Sequence, residues 1–124
     1  MQQQLCVLKD ILRSIAQLED QIQEHYHLSV SEALVFCALG DGHSTAASLA
    51  ERVGLSTSRI CRIIASLERK GLIERFRDNH DRRQWENVLT NQGKQKLLMM
   101  QEKGIEMPQW LLSLASSKDL LPFH

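Results

Sequence analysis

Several residue types that mark particular protein classes are scarce in this sequence of 124 residues. Aromatic residues make up only 5%, so the 43% of hydrophobic residues must build a largely aliphatic core. No run approaches the roughly 18 uninterrupted apolar residues that a membrane-spanning helix needs. Lys9, Asp10 and Arg13 interrupt any apolar segment near the N-terminus, which argues against a signal peptide. These absences predict one cytoplasmic domain with no membrane segment.

Features of catalytic and metal sites are also missing from the sequence. The three cysteines, Cys6, Cys37 and Cys61, are odd in number, far apart and without a CxxC pair, which predicts reduced thiols rather than a disulfide framework. Residues 24–27 hold two histidines and a glutamate, but without the spacing of a zinc site. Gly-rich phosphate loops, nucleophile elbows and HExxH motifs are absent. We therefore expect neither an enzyme nor a bound metal or cofactor.

The formal net charge is zero, which at first argues against nucleic acid, but the charge is unevenly distributed. Residues 1–55 hold 3 Lys and Arg against 7 Asp and Glu, whereas residues 56–94 hold 9 against 5. The basic segment is rich in arginine: Arg59, Arg62, Arg69, Arg75, Arg77, Arg82 and Arg83. Because phosphate binding requires a local basic surface, whatever the sum over the chain, this segment is a candidate for nucleic-acid binding.

Hydrophobic spacing predicts a mainly α fold with a small β-hairpin. The predicted helices cover residues 4–25, 30–39, 45–53, 57–70 and 90–103, with a short helix after Pro108, and the predicted strands cover 72–77 and 85–89. Ser29 and Glu32 form a capping box at the second helix, which residues 40–42 (Gly-Asp-Gly) are predicted to stop. The order is three helices, a turn, a helix, a hairpin and a helix.

The helices over 45–53 and 57–70, joined by a tight turn at Gly54, match the DNA-binding helix-turn-helix. At 100° per residue, the apolar side of the second helix centres near Ile60 and Ile64. The other side carries the small polar residues that allow close approach to the major groove and the arginines that can fork onto guanine. The candidate recognition-helix residues are Ser56, Thr57, Ser58, Arg59, Arg62, Ser66 and Arg69.

The hairpin after this helix adds a second basic element, a wing whose arginine tip can reach the minor groove. Its candidate DNA-binding residues are Arg75, Arg77, Asp81, Arg82 and Arg83. The alternatives are an ordinary solvated helix face, or a winged helix used as a protein-interaction module that does not bind DNA. Such a module would carry a polar or acidic recognition face, whereas this face is basic.

Three motifs resemble one known family. The run over residues 55–73, LSTSRICRIIASLERKGLI, resembles the recognition helix and first wing strand of the MarR (multiple antibiotic resistance regulator) family. Residues 81–83 (DRR) and 89–93 (LTNQG) are similar to its D-x-R wing and its L-T-x-x-G motif, and the order matches over about residues 28–104. The resemblance implies a bacterial winged helix-turn-helix regulator, homodimeric on a pseudo-palindromic operator and often a repressor. It also implies that Thr57, Ser58 and Arg62 face the major groove, and that Asp81 pairs with Arg83, which enters the minor groove.

Surplus apolar residues at both ends of the chain predict a dimer, since an uncovered apolar surface marks an interface. We assign residues 1–27 to an N-terminal dimerisation helix, 28–93 to the winged helix-turn-helix domain and 94–124 to C-terminal dimerisation helices. The alternative is that these helices cap the core of a monomer. The expected partners are double-stranded DNA and a second copy. The resemblance adds a small aromatic or phenolic ligand bound between the dimerisation and DNA-binding parts.

A thiol-based, redox-responsive regulator of the same fold is an alternative function. Residues 5–8 (LCVL) resemble the N-terminal helix of the family's peroxide-sensing branch, in which tyrosines of the partner subunit hold an N-terminal cysteine. Asp20 and Ser31 stand near the positions of those tyrosines here. Cys61 lies beside the predicted DNA-reading face, where oxidation could block docking. Cys6 and Cys61 are thus the candidate redox residues.

Overall fold

The computed structural model describes residues 1–77 and 85–116, whose elements follow the predicted order. The helices are α1 (Gln2–Tyr26), α2 (Val30–Gly40), α3 (Ala46–Val53), α4 (Thr57–Arg69), α5 (Asn91–Lys103) and α6 (Gln109–Ser116), and the strands are β1 (Ile73–Arg77) and β2 (Trp85–Leu89). The predicted winged helix-turn-helix is confirmed. The wing tip, with Asp81, Arg82 and Arg83, lies outside the described residues. Among the described helices, none is long and apolar enough to cross a membrane.

Hydroxyl side chains begin the helices of the winged domain. Ser29 Oγ accepts the N–H of Glu32 at 3.1 Å while Glu32 Oε1 accepts the N–H of Ser29 at 2.9 Å, which is the predicted capping box. Ser and Thr residues also cap the following helices: Thr45 caps α3, Ser56 caps α4 and Thr90 caps α5. Helix α2 ends within residues 40–42 as predicted: Gly40 is its last residue, one beyond the predicted bound, and Asp41 is the C-cap.

The core lies around α2, which contacts α1, α3, α4, α5 and β2. Its largest fully buried side chains are Phe36, Leu28, Leu49, Ile60, Ile64, Leu67, Leu72, Ile73 and Val35. On α4, Ile60, Ile64 and Leu67 point into this core, as the periodicity predicts. Gly54, in the left-handed conformation at φ 81°, supplies the tight turn between α3 and α4. The burial of one side of α4 leaves its opposite side facing out.

The hairpin is fastened to the start of α3. Strands β1 and β2 are antiparallel, with Arg75 opposite Asn87 and Arg77 opposite Trp85. The backbone N–H and the side-chain Nδ2 of Asn87 both donate to the carbonyl oxygen of Ser44, at 2.9 Å and 2.8 Å. Glu86 also forms a β-bridge with Thr45. The wing therefore has a fixed base next to the helix-turn-helix.

The L-T-x-x-G motif joins β2 to α5 by a close backbone contact. The N–H of Thr90 donates to the carbonyl oxygen of Leu72, and Thr90 Oγ1 donates to that of Gly71 at 2.7 Å. A Cβ atom at Gly93 would lie only 2.1 Å from the Leu72 oxygen. Glycine is thus required where the first turn of α5 crosses the backbone before β1.

Helix α1 is attached to the rest of the chain mainly through its C-terminal end. Ile22 and Tyr26 are its buried residues, and the hydroxyl of Tyr26 donates to the carbonyl oxygen of Gly104 after α5. Farther towards the N-terminus, an apolar stripe remains exposed in the single chain, and we call it the α1 stripe: Leu5, Leu8, Leu12 and Ile15. The spacing of three and four residues places these side chains on one side of the helix.

Candidate nucleic-acid interface

The outward side of α4 combines small polar residues with arginines. The exposed residues of this side are Thr57, Ser58, Arg59, Arg62 and Arg69, and the N-cap Ser56 is exposed too. Ser56 Oγ accepts the N–H of Arg59, which fixes the first turn of the helix. Backbone N–H groups at such a helix start attract anions, so hydroxyls, N–H groups and guanidinium groups share one surface.

One flank of α4 is occupied by a buried carboxylate from α2. Glu32 is only 8% exposed, and its Oε2 accepts a hydrogen bond from the hydroxyl of Ser66 at 2.7 Å. Lys70 Nζ donates to Glu32 Oε1 at 3.0 Å and to the carbonyl oxygen of His27 at 2.9 Å. Ser66, a candidate DNA-binding residue from the sequence, therefore directs its hydroxyl to a buried acceptor on α2. Its contact with DNA stays a prediction.

Desolvation and hydrogen bonding act in opposite directions on this carboxylate. Burial alone raises the pKa of Glu32, but the bonds from Ser29, Ser66 and Lys70, with the charge of Lys70, outweigh it and leave the pKa below its ordinary value. The carboxylate therefore stays ionised, with its charge balanced by Lys70 inside the domain rather than by an arginine of the outward side of α4.

The other flank of α4 faces the hairpin across a cleft of about 210 Å³. Cys61 and Ile64 line it from α4, and Arg75, Trp85 and Asn87 line it from the hairpin. Alternation along the strands places Arg77 on the same face as Arg75 and Trp85. The basic face of the hairpin therefore lies next to α4.

Trp85 makes a contact that the sequence analysis missed. Its ring centroid is 4.6 Å from Cζ of Arg77 and 5.1 Å from Cζ of Arg75, within the range of cation–π contacts. A signal for it existed in the sequence, since an aromatic residue begins the second strand where two arginines with alternate spacing end the first. Using that signal requires the register of the hairpin.

The two acidic residues of β1 and β2 lie on the other face of the hairpin. Glu74 is opposite Val88 and Glu86 is opposite Phe76, so both carboxylates point away from the arginine face. Within the described residues, the ion pair is Lys70–Glu32, and the arginines of α4, β1 and β2 have no carboxylate partner there. Their charge is consequently available to an external anion.

Cysteine and histidine side chains in the described chain form no comparable site. Cys6, Cys37 and Cys61 are all free and exposed. Partial burial, with the carboxylate of Asp41 nearby, raises the pKa of Cys37 and disfavours its thiolate. Tyr26, the one tyrosine of the sequence, already donates its hydroxyl to Gly104. No three His, Cys, Asp or Glu side chains within the described ranges are grouped to hold a metal ion.

Two larger cavities lie beside α5, in the region where the sequence predicts a small ligand. A cavity of about 810 Å³ between the end of α2, β2 and α5 has apolar walls that include Leu39, Val88 and Leu97, with Lys94 also lining it. Another of about 560 Å³ lies between α1 and α5. The ligand itself stays a prediction.

The fold and the basic surface together define a winged helix-turn-helix protein. The family model described as MarR family matches residues 27–84. The resemblance found in the sequence is confirmed by this match, and the fold is similar to that of MarR-family transcription regulators.

Solved structures agree with this assignment over most of the chain. The transcriptional regulator BldR from Sulfolobus solfataricus is 25% identical, with a TM-score of 0.69 over 94% of this chain and 91% of that chain. AbfR, solved in an overoxidised form bound to DNA, is 26% identical, with a TM-score of 0.69 over 81% of this chain and 75% of that one. BpsR from Bordetella bronchiseptica is 17% identical, covers 97% and 98% with a TM-score of 0.71, and supports the fold alone. No curated protein matches the sequence.

Proposed function

We propose that this protein is a sequence-specific DNA-binding transcription regulator that acts in the cytoplasm, as a homodimeric repressor on a pseudo-palindromic operator. The observation that carries the proposal is the outward side of α4, where Arg59 and Arg62 lie without carboxylate partners in the described chain, next to the arginine face of the hairpin. The structural neighbour AbfR, solved bound to DNA, adds support.

In this proposal α4 enters the major groove and its N-terminal half reads bases. Thr57 and Ser58 are small enough to let the helix approach the base edges, and Arg62 is one turn further along on the same side as Ser58. A guanidinium at that position can donate two parallel hydrogen bonds to guanine O6 and N7. Arg59 and Arg69, nearer the groove walls, bind phosphates.

The wing supplies the second contact. Arg75 and Arg77 bind the phosphate backbone beside the major groove, and the wing tip continues to the minor groove. There Arg83 enters the groove with Asp81 orienting it, as the family resemblance implies, and Arg82 adds a phosphate contact. Arg83→Ala is then expected to make the negative slope of log K against log salt shallower by about 0.9, because one cation that contacts a phosphate is lost.

The α1 stripe supports the homodimer. Leu5, Leu8 and Leu12 are each about half exposed or more in the single chain, and a helix whose apolar side faces water gains free energy when a partner covers it. A two-fold dimer built on the terminal helices places two α4 helices against half-sites about one DNA turn, 34–36 Å, apart. A pseudo-palindromic operator follows from that symmetry.

A thiol-responsive form of this function has one observation in its favour. Cys61 is exposed on α4, on the side next to the hairpin cleft, so oxidation would add polar bulk beside the DNA contacts. Peroxide treatment that lowers DNA binding of the wild type but not of Cys61→Ser would support this form. Equal binding with and without peroxide would remove it.

The test of the main proposal is selection of bound duplexes from random DNA, followed by titration of the enriched duplex and a scrambled one. We expect an enriched, two-fold-related sequence and a binding constant that falls steeply with salt. The double variant Arg59→Ala/Arg62→Ala should lose the preference, whereas Arg13→Ala on α1 should keep it. Failure to enrich any sequence, with no duplex binding at low salt, would refute the proposal.

A further inference from the structure

The hairpin holds an aromatic ring against two of its arginines. Trp85 lies directly across from Arg77 and diagonally from Arg75 on the same face, and both guanidinium carbons are about 5 Å from the ring centroid. Cross-strand and diagonal neighbours on one face are the pairs whose side chains interact in an antiparallel ladder. The contact is therefore a property of the hairpin register.

The core does not account for this tryptophan. The buried end of the same hairpin face is filled by Ile73 and Leu89, whereas Trp85 sits at the opposite end and is 41% exposed. A large apolar ring at an exposed strand end gains little hydrophobic free energy, because much of its surface stays in contact with water. What Trp85 does contact is the guanidinium group of each of the two arginines.

We propose that Trp85 is a positioning residue of the DNA interface, which orders Arg75 and Arg77 before DNA binds. This inference rests on the proposed function. A free arginine side chain loses rotamer freedom when its guanidinium is fixed on a phosphate, and stacking on the ring removes that freedom in the unbound protein already. Stacking uses the flat face of the guanidinium, so the N–H groups in its plane remain free to donate to phosphate oxygens.

The surroundings of the ring fit this role. Trp85 lines the cleft that α4 borders through Cys61, so the ordered guanidinium groups lie beside the helix proposed to enter the major groove. The hairpin carboxylates of Glu74 and Glu86 are on the other face and do not compete for the arginines. Trp85 would thus fix two phosphate contacts relative to α4 without touching DNA itself.

The test compares Trp85→Leu with Trp85→Phe on the enriched duplex. Losing the ring should weaken binding about 3- to 10-fold at every salt concentration, and the Phe variant should stay within about two-fold of wild type, because it keeps an aromatic face. The slope of log K against log salt should be unchanged in Trp85→Leu, since both cations remain. Arg77→Ala should make this negative slope shallower by about 0.9. Phe76→Leu, on the opposite face of β1, is the matched control and should bind as wild type.

Two further measurements separate positioning from general destabilisation. In the free full-length protein, the side-chain proton resonances of Arg75 and Arg77 should show ring-current shifts that persist in Trp85→Phe and vanish in Trp85→Leu. In the Arg75→Ala/Arg77→Ala background, Trp85→Leu should cause no further loss of affinity, because the pair it positions is gone. A full further loss there, or no ring-current shift in wild type, would overturn the inference.

The outcome on DNA also distinguishes this inference from the function on which it rests. If wild type binds duplexes and Trp85→Leu binds them equally well, the positioning role is refuted and the regulator assignment stands. If wild type binds no duplex at all, the proposed function fails, and the positioning role fails with it.

Discussion

Removing the carboxylate of Glu32 should destabilise the whole winged domain. Three donors converge on it: the N–H of Ser29, the hydroxyl of Ser66 and the ammonium of Lys70. Hydrogen bonds to a charged group contribute about 1.5–3 kcal/mol each, and a buried donor left without an acceptor costs about 1–3 kcal/mol. The side chain of Lys70 is 38% exposed and regains water, so its share is small. We expect Glu32→Ala to lower the free energy of unfolding by about 2–4 kcal/mol.

Glu32→Gln separates charge from shape, because it keeps the volume and one acceptor oxygen but loses the ionised group. We expect Glu32→Gln to lower the free energy of unfolding by about half as much as Glu32→Ala does. The pKa of Glu32 in the folded state is depressed, so its stabilisation is fully present above the unfolded value near 4.5 and is lost as pH falls through the folded value. The stability difference between wild type and Glu32→Gln should therefore shrink as pH is lowered below about 4.5.

The assay is urea unfolding followed by circular dichroism at one fixed protein concentration, since a dimer's apparent stability depends on concentration. Glu51→Gln, at an exposed position of α3, is the control and should change stability by less than about 0.5 kcal/mol. If Glu32→Ala behaved like this control, or if the difference from Glu32→Gln did not vary with pH, the assigned role of the carboxylate would be refuted.

Three other predictions concern DNA reading, assembly and the start of α5. Arg62→Ala should weaken binding to the selected operator by about 1–3 kcal/mol and relax base preference at one position per half-site, measured by titration against an operator panel. Leu12→Glu should weaken the dimer by about 3–6 kcal/mol, since each substitution occurs twice across a two-fold interface, and sedimentation should then give a monomer mass. Gly93→Ala should cost about 1–3 kcal/mol in thermal unfolding, because its Cβ would overlap the Leu72 oxygen.

Each of these has a control on the same element or of the same chemistry. Arg13→Ala on α1 removes an arginine away from α4 and should leave operator binding intact. Gln17→Glu adds a charge to α1 off the α1 stripe, and Gln95→Ala changes an exposed residue of α5. If Arg62→Ala lost the same affinity for operator and for random DNA, Arg62 would contact phosphate only and not a base. A monomeric wild type, or a Gly93→Ala melting curve equal to that of Gln95→Ala, would contradict the other two predictions.

Local patterns predicted the elements because their causes are local. Apolar spacing and hydroxyl caps fall within a few residues of each other, and the predicted bounds differ from the structure by only one or two residues. The outward side of α4 followed in the same way, since the burial of Ile60 and Ile64 fixes what lies opposite. Gly54 was interpreted correctly because its left-handed turn is also a local requirement.

The features that the sequence did not reveal depend on partners distant in sequence. The reason for a glycine at the end of α2 lies on α5, since a Cβ at Gly40 would come within 2.4 Å of Leu97 Cδ2. The hydrogen bond from Ser66 to Glu32 was missed because a helical wheel of α4 does not show a residue on a neighbouring helix. Predicting the contact of Trp85 with the arginines requires the register of β1 and β2, which the sequence of the long polar tip does not determine. Packing, not propensity, decided all three positions.

The contact at Gly93 has a geometric consequence for any assembly built on α5. With no side chain between the first turn of α5 and the carbonyl of Leu72, the direction of this helix cannot adjust through a rotamer change. Helix α5 has 13 residues. That length makes it a lever of about 20 Å, and a tilt of about 10° at its start would move its far end by about 3.4 Å. That displacement is about the rise of one DNA base pair. In a dimer built on α5, the absence of a side chain at Gly93 would therefore affect the spacing of the operator half-sites.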